Sequence, residues 1–256
     1  MKGLILAGGT GTRLKPMTKY INKHLLPVYD KPMIYYPLSL LYLSGINDIC
    51  IVCNHDDERS FRALLDEFSD KITIEYCIQA GPVGIPDAII SASDYIKNDG
   101  FAAVLGDNLI YGDSIPAMIK HGISDVNEGN ISCFTYLVND PENFGILKRD
   151  KSNHPTNIIE KPEQFVSNEA IIGLYLFPKN SMEYFKNIKK SGRGEYEIAD
   201  VLENALKNQK LSVHRLGRGH VWLDLGTPQS IYEASSVLSV MQNRQGLKVG
   251  DLAELS

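Results

Sequence analysis

A glycine-rich segment, Gly8-Gly9-Thr10-Gly11-Thr12-Arg13-Leu14, directly follows a short apolar run at residues 3–7. Glycines placed after the first strand of a sheet let backbone N–H groups approach a phosphate chain closely. The guanidinium of Arg13 can hold two phosphate oxygens at once. Lys19 and Lys23 lie a few residues further on and add positive charge. Together these residues predict a binding site for a triphosphate whose pyrophosphate must leave.

The same loop excludes two common nucleotide-binding patterns. The dinucleotide fingerprint requires a third glycine where this chain has Leu14, which disfavours a dehydrogenase. The Gly-Lys-Ser/Thr of a Walker loop is also missing. The loop by itself also allows an alternative in which its glycines only turn the chain and bind no phosphate.

Two carboxylates follow strand-like runs that are far apart in sequence. Asp107 comes just after the apolar residues 101–105, and Asp224 follows Val221-Trp222-Leu223. Ligands collect at the carboxyl ends of strands in open parallel sheets, so the two carboxylates are candidates to bind one Mg²⁺ ion. Spacing alone supports equally well an alternative in which Asp107 only forms a turn and Asp224 only begins a helix.

Apolar runs and helical patterns alternate through the first half of the chain. Strands are predicted at 3–7, 49–53, 72–78 and 101–105, with helices at 33–44, 57–68 and 86–96. This order predicts an α/β fold with a doubly wound parallel sheet covered on both faces. Beyond residue 130 the pattern is mixed: strands at 131–138, 170–177, 211–216 and 220–223, a hairpin at 145–149 and 157–160, and helices at 197–207 and 228–244.

Composition limits the classes of function. The 256 residues carry 26 Lys plus Arg and 31 Asp plus Glu, a net charge of -5 without a basic stripe, which disfavours nucleic-acid binding.

The four cysteines lie in apolar runs, which favours buried, inert thiols. Cys50 and Cys53 should point to opposite faces of a strand, so a redox pair is not expected. A zinc site is not expected either. No secretory signal or long apolar run is evident, which predicts a cytoplasmic protein without a membrane span.

These motifs, in this order, resemble the sugar-1-phosphate nucleotidyltransferase family, and most closely its branch that transfers thymidylate to glucose 1-phosphate. The resemblance rests on residues 6–14 with Lys23-His24-Leu25-Leu26-Pro27, and extends from end to end through 31–37, 105–108, 139–141, 160–162, 173–175, 193–195 and 222–227. It implies one Rossmann-like (GT-A-like) nucleotidyltransferase domain over 1–256. Within it, 1–130 would mainly bind nucleotide, 131–227, with an inserted hairpin, would mainly bind sugar, and 228–256 would form a C-terminal helix.

The resemblance also implies roles, position by position. Nucleotide would be bound by Leu6, Ala7, Gly8, Gly9, Gly11, Thr12, Arg13, Gln79, Gly84 and Asp107, with Gln79 and Gly84 at the base. Sugar phosphate would be bound by Asn108, Gly145, Glu160, Lys161, Ile171, Tyr175 and Arg193. The implied catalytic residues are Arg13, Lys23, Asp107, Lys161 and Asp224, and the implied Mg²⁺ ligands are Asp107 and Asp224. The implied reaction is in-line attack of the sugar-phosphate oxygen on the α-phosphorus, without a covalent enzyme intermediate.

Three departures from the family pattern modify these expectations. His24 replaces a Gln that many thymidylyltransferases carry, and residues 80–88 keep Gly84 but not the usual residues around it. The chain ends at Ser256 without the C-terminal extension of longer enzymes, which predicts weakened or absent end-product regulation.

Uridylyl or other nucleotidyl transfer to another hexose phosphate is an alternative function, as is a catalytically silent sugar-nucleotide sensor. The resemblance implies a homo-oligomer, a dimer or tetramer.

Overall fold

The computed structural model describes residues 1–186 and 188–252. The C-terminal helix expected over 228–256 covers only Pro228–Gln245, since Gly246 ends it in the left-handed conformation, and residues 253–256 lie outside the described part. The helices in chain order are α1 (Tyr35–Leu43), α2 (His55–Leu65), α3 (Ile85–Ser91), α4 (Ser93–Ile96), α5 (Ile115–Asn127), α6 (Ile198–Lys207) and α7 (Pro228–Gln245). The strands are β1 (Lys2–Leu6), β2 (Pro27–Val28), β3 (Lys31–Pro32), β4 (Asp48–Cys53), β5 (Thr73–Ile78), β6 (Phe101–Leu105), β7 (Asn108–Tyr111), β8 (Ile131–Leu137), β9 (Gly145–Arg149), β10 (Pro155–Glu160), β11 (Glu169–Phe177), β12 (Leu211–Arg215) and β13 (Val221–Asp224).

A central sheet has the strand order β10-β9-β11-β6-β1-β4-β5, and β8 joins it by pairing with β11 and β12. Strands β6, β1, β4 and β5 are parallel, whereas β11 is antiparallel to β6. The chain moves outward from β1 to β4 and β5 and then returns to the other side of β1 as β6. The topological switch point therefore lies between β1 and β6, and the loops that follow these two strands carry the glycine-rich segment and Asp107.

Helices cover both faces of this sheet, as the alternating pattern predicted. Helices α1, α2 and α5 pack on one face, and α3, α4 and α6 pack on the other. In β4, Cys53 belongs to the first core cluster and Cys50 to the second, so the two thiols point to opposite faces as expected. Cys77 is only half-buried, which corrects the expectation that all four cysteines are buried.

The positions of the predicted strands and helices are largely confirmed, including the hairpin of β9 and β10. The prediction missed β7 and α5, although Ile115, Ile119 and Val126 have helical spacing and are buried. Pro116 and Gly122 interrupt that pattern. The helix predicted over 86–96 is divided at Ala92 into α3 and α4. No helix in the described part of the chain combines the length and hydrophobicity that a membrane span requires.

A buried carboxylate joins four of the strands that follow residue 130. Glu169 on β11 accepts two hydrogen bonds from Arg149 of β9 (2.9 and 2.7 Å), one from Arg215 of β12 (3.0 Å) and one from Thr135 of β8 (2.8 Å). Its side chain is 5% exposed. Burial alone would raise the pKa of Glu169, but the hydrogen bonds from Arg149 and Thr135 and the nearby positive charges outweigh it and hold the pKa below the ordinary value. The charge of Glu169 therefore stabilises the hairpin side of the molecule.

We expect Glu169→Gln to lower the free energy of unfolding at pH 7 by about 3 kcal/mol, because it leaves Arg149 largely buried without its counter-charge. Since the folded-state pKa lies below the unfolded value of about 4.3, the contribution of Glu169 is present above that pH and is lost as the pH falls through the folded pKa. Urea unfolding across this range should show the two proteins converging at acid pH. Glu163→Gln, an exposed matched control, should leave stability unchanged. Equal stability of Glu169→Gln and the unaltered chain at pH 7 would refute this role.

Candidate active site

A cavity of about 1200 Å³ lies where the switch point, the hairpin and β13 meet. The predicted site residues other than Ala7 and Lys19 line it: Leu6, Gly8, Gly9, Gly11, Thr12, Arg13, Lys23, Gln79, Gly84, Asp107, Asn108, Gly145, Glu160, Lys161, Ile171, Tyr175, Arg193 and Asp224. Ala7 is fully buried, and its carbonyl oxygen accepts a hydrogen bond from Asn22 Nδ2 (3.2 Å). Lys19 is exposed and lies outside the cavity wall, which corrects its expected place in the triphosphate site. Residues from nearly the whole length of the chain thus face one space.

The glycine-rich loop forms one wall of this cavity. It leaves β1 and ends in a short 3-10 turn, Thr12–Leu14, which begins after Gly11. The hydroxyl of Thr18 donates to the carbonyl of Gly11 (2.7 Å) and fixes the end of the loop. Arg13 is mostly exposed, so its guanidinium is available to an anion in the cavity.

A small antiparallel ladder brings the two carboxylates together. Strand β7 pairs with β13 so that Asp224 lies opposite Asn108, and the N–H of Leu225 donates to the carbonyl of Asp107 (2.8 Å). Asp107 leaves the central strand β6, and Asp224 is the last residue of β13. Strand β7, which the sequence analysis missed, is therefore the element that places Asp224 beside Asp107.

The carboxylates have opposite pKa shifts. Although burial disfavours its charge, Asp107 has a pKa lowered to about 2, because it forms an ion pair and hydrogen bond with Lys23 and accepts from Asn108 Nδ2 (3.2 Å). Burial and the neighbouring charge of Asp107 raise the pKa of Asp224 to about 6, against the opposing effect of Arg13, whose Nη2 lies 3.7 Å from Asp224 Oδ2. Burial and the like charge of Asp107 therefore disfavour the ionised form of Asp224, although a cation lies beside each carboxylate.

His24 is held as a neutral group beneath this pair. It is 1% exposed, and burial, with Lys23 nearby, lowers its pKa to about 3. Its Nδ1 lies 2.7 Å from Asn22 Oδ1. Asn22 Nδ2 donates to Asp57 Oδ2 (2.7 Å) and to Ala7, so Asn22 Oδ1 is the acceptor and His24 Nδ1 the donor. No sequence signal distinguished Asn22 or Asp57, which lie in an ordinary loop and at the start of α2.

The opposite side of the cavity carries a mixed charge cluster. Arg193 Nη2 lies 3.2 Å from Glu160 Oε1 and 2.8 Å from Glu197 Oε2, and the hydroxyl of Ser191 donates to Glu197 Oε1 (2.6 Å). Burial and the charge of Glu197 raise the pKa of Glu160. Lys161 follows Glu160 in the left-handed backbone region at φ 43°. Glu197 holds Arg193 in place but was missed, because both residues precede α6 in a loop, where a spacing of four residues predicts no contact.

Asn108 connects the two sides. Its Oδ1 accepts from Trp222 Nε1 (2.7 Å) and from the N–H of Gly173 (3.1 Å), while its Nδ2 donates to Asp107. Its side chain is buried, and its amide oxygen is occupied by protein donors. Asn108 therefore ties β13 and β11 to the carboxylate at the end of β6.

Within residues 1–186 and 188–252, no cluster of three or more His, Cys, Asp or Glu side chains has an arrangement that could hold a metal ion. Asp107 and Asp224 are a pair of hard oxygen donors in a cavity. Mg²⁺ is commonly held by one or two carboxylates, with water and substrate phosphates completing its coordination. The pair therefore fits a divalent cation that arrives with a phosphate substrate.

Comparison with known proteins gives consistent similarities. Residues 2–239 match the profile of the family described as "Nucleotidyl transferase". The glucose-1-phosphate thymidylyltransferase of Neisseria meningitidis (serogroup A / serotype 4A) is 44% identical over 257 aligned residues, which cover 100% of this chain and 88% of the relative.

Two solved structures are also similar to this chain. A Bacillus anthracis protein assigned as glucose-1-phosphate thymidylyltransferase, in complex with sucrose, superposes with a TM-score of 0.84 at 34% identity, covering 93% of this chain and 94% of that one. A UDP-glucose pyrophosphorylase complexed with UDP-glucose has a TM-score of 0.81 at 24% identity, covering 94% and 98%, and supports the fold.

We expect Asp224→Asn to stabilise the metal-free protein at pH 8. Because the folded-state pKa of Asp224 is about 6 against an ordinary 3.8, its contribution to stability is fully present below pH 3.8 and is lost as the pH rises through 6. Above pH 7 the ionised carboxylate therefore costs roughly 2 kcal/mol, which the amide avoids. In EDTA, the thermal midpoint should rise by several degrees at pH 8 and by less at pH 5. The exposed control Asp113→Asn should leave the thermal midpoint unchanged. If the midpoint of Asp224→Asn at pH 8 is equal to or below that of the unaltered chain, the raised pKa of Asp224 is contradicted.

Proposed function

Because this chain belongs to the nucleotidyl transferase family, we propose that it is a glucose-1-phosphate thymidylyltransferase, which converts dTTP and glucose 1-phosphate to dTDP-glucose and pyrophosphate. The observation that carries this proposal is the Asp107–Asp224 pair, which shares one cavity with the glycine-rich loop and with the Lys161 and Arg193 cations. Two anionic substrates need such an arrangement, since their phosphates must approach each other.

On the nucleotide side, the loop from Gly8 to Gly11 would offer backbone N–H groups to the triphosphate. Arg13 follows this loop, Lys23 packs against its glycines, and each lies beside one of the carboxylates, so they would neutralise the β- and γ-phosphates that leave. Gln79 and the N–H of Gly84, on the adjoining wall, would bind the base. A Gln amide offers both an acceptor and a donor, which match N3–H and O4 of thymine.

Asp107 and Asp224 would hold Mg²⁺. When bound, the ion supplies positive charge that neutralises phosphate oxygens and offsets the repulsion between the two carboxylates. Lys23 Nζ donates a hydrogen bond to Asp107 and would turn toward a phosphate once that carboxylate binds the cation. The lysine thus keeps Asp107 ionised and oriented.

On the sugar side, Lys161 and Arg193 would bind the phosphate of glucose 1-phosphate. Glu160 and Glu197 both form ion pairs with Arg193, so its guanidinium group is oriented before substrate binds. Glu160 faces Gly145 across the hairpin and would accept hydrogen bonds from sugar hydroxyls. Ile171 and Tyr175, both buried on β11, would pack against the sugar ring.

In the reaction, an oxygen of the sugar phosphate attacks the α-phosphorus of dTTP. A new P–O bond forms, the bond from the α-phosphorus to the bridging oxygen of the β-phosphate breaks, and pyrophosphate departs with that electron pair. The nucleophile is already an anion, so no side chain needs to remove a proton. The work of the protein is to align two anions and to neutralise their charge.

A cytoplasmic location and a homo-oligomeric state belong to the same proposal. The exposed face of α7 carries Tyr232 and Val240, eight residues apart on one side of the helix and 69% and 62% exposed. Such a stripe is suited to contact with a second copy of the chain. Sedimentation of the purified protein would measure the oligomeric state.

The purified chain should release pyrophosphate from dTTP with glucose 1-phosphate when Mg²⁺ is present and should stop in excess EDTA. The assay should compare dTTP, UTP and dCTP, and glucose, galactose and glucosamine 1-phosphates. Faster turnover with UTP than with dTTP would overturn the choice of base. Binding without turnover of any pair would favour the silent sensor.

Asp107→Asn tests the site within that assay. It should lower kcat at least about 1000-fold, since the substitution removes a proposed metal ligand and the partner of Lys23. Asp113→Asn, a nearby exposed aspartate, should retain full activity. If Asp107→Asn folds and retains more than a tenth of the turnover, the proposed chemistry at this pair is wrong.

A further inference from the structure

The amide of Gln79 has a defined orientation. Gln79 follows β5, its backbone N–H donates to the carbonyl of Cys53 (2.9 Å), and its side chain lines the cavity although the residue is only 5% exposed. Its Nε2 lies 2.8 Å from Oδ2 of Asp87. An ionised carboxylate only accepts hydrogen bonds, so the amide nitrogen, not the oxygen, must face Asp87.

The amide oxygen consequently faces the other way, toward the glycine-rich loop. A methyl group added to Gly8 would lie 2.5 Å from Gln79 Oε1, so only a glycine allows this approach. Among the described residues, no protein donor bonds Oε1, and it is not a buried unsatisfied atom. Gln79 therefore presents an open acceptor to a base bound in the cavity, and the second N–H of Nε2 remains as a donor beside it.

Asp87 lies behind Gln79, in the first turn of α3, and is not among the described residues that line the cavity. The start of α3 is fixed. Gly84 has φ 113° and pairs with Tyr196, and the N–H of Tyr196 donates to the carbonyl of Val83 (2.9 Å). A side chain at Gly84 would meet Tyr196 O at 2.1 Å. The carboxylate that orients Gln79 is thus held from outside the substrate space.

We propose that Asp87 is a positioning residue that sets base selection by fixing the orientation of the Gln79 amide. This inference rests on the proposed function, because it takes the cavity as the nucleotide site. With the amide fixed, the acceptor Oε1 meets N3–H of thymine or uracil, and Nε2 meets their O4. Cytosine presents an acceptor at N3 and a donor at N4, so both of its groups oppose those of the fixed amide.

A glutamine alone does not make this distinction. If its amide turned by 180°, Nε2 would donate to N3 of cytosine and Oε1 would accept from N4. Both pyrimidine types would then bind equally well. Asp87 removes the second orientation, because a turned amide would set an oxygen against a carboxylate. Rejection of cytosine therefore comes from a repulsive contact made one layer behind the base.

The test is Asp87→Asn. An asparagine can present either its oxygen or its nitrogen to Gln79, so both orientations of the Gln79 amide become satisfied. We expect the preference for dTTP over dCTP to fall at least tenfold, both in equilibrium binding by calorimetry and in kcat/KM. The preference for dTTP over dUTP should not change, because both bases present the same edge. Loss of a merely structural contact would weaken all three nucleotides alike.

Two further variants complete the experiment. Asp87→Ala leaves the amide without a partner and should also lower the dTTP-to-dCTP preference. Asp94→Asn makes the same chemical change at an exposed position on α4 and should change neither ratio. If both Asp87 variants fold and bind dTTP with an unchanged dTTP-to-dCTP ratio, the inference is wrong.

The binding and turnover readouts separate the inference from the function on which it rests. If the unaltered chain binds dTTP in preference to dCTP, loses that preference in the Asp87 variants and yet makes no dTDP-glucose, the proposed function fails and the positioning role stands. If the unaltered chain binds neither nucleotide, both are overturned.

Discussion

Two carboxylates of like charge, Asp107 and Asp224, are held side by side by the pairing of β7 with β13 and by the contacts of Asn108. Burial and the charge of Asp107 raise the pKa of Asp224, and Arg13 and Lys23 only partly offset these two effects. The ladder of β7 with β13 and the bond from Leu225 to Asp107 impose the contact. Buried Asn108 adds Trp222 and Gly173 to the same unit. A carboxylate pair that costs stability is typical of functional sites, and we propose this pair as the centre of the site.

Two parts of one sheet position the two sides of the cavity. The parallel strands β6, β1, β4 and β5 provide a switch point, which opens a space for phosphates at their carboxyl ends. The antiparallel part, joined through Glu169 to Arg149 and Arg215, carries the hairpin with Glu160 and Lys161 across that space. Under the proposed function, loops of the parallel part would bind one substrate and strands of the antiparallel part would bind the other.

Local pattern was enough to predict the parallel half and the loop motif. Runs such as residues 49–53 alternate between two buried faces, and residues 8–14 combine glycines with a cation in sequence. The rest depends on contacts between distant segments. Strand β7 is only four residues long, so its pairing with β13 has no local signal. Asn22, Asp57, Glu197 and Asp87 look like ordinary polar residues until the fold sets them beside His24, Arg193 and Gln79. Residues that orient others were therefore missed more often than residues that line the cavity.

We propose that Asp107 and Asp224 act together as one cation site completed by a nucleotide. Paramagnetic Mn²⁺, titrated in the presence of dTTP and followed by electron paramagnetic resonance, measures this without turnover. We expect the unaltered chain to bind Mn²⁺ more tightly than dTTP alone does, and Asp107→Asn and Asp224→Asn each to weaken that binding at least tenfold. If both variants fold, bind dTTP and hold Mn²⁺ as tightly as the unaltered chain, the carboxylate pair is not the metal site.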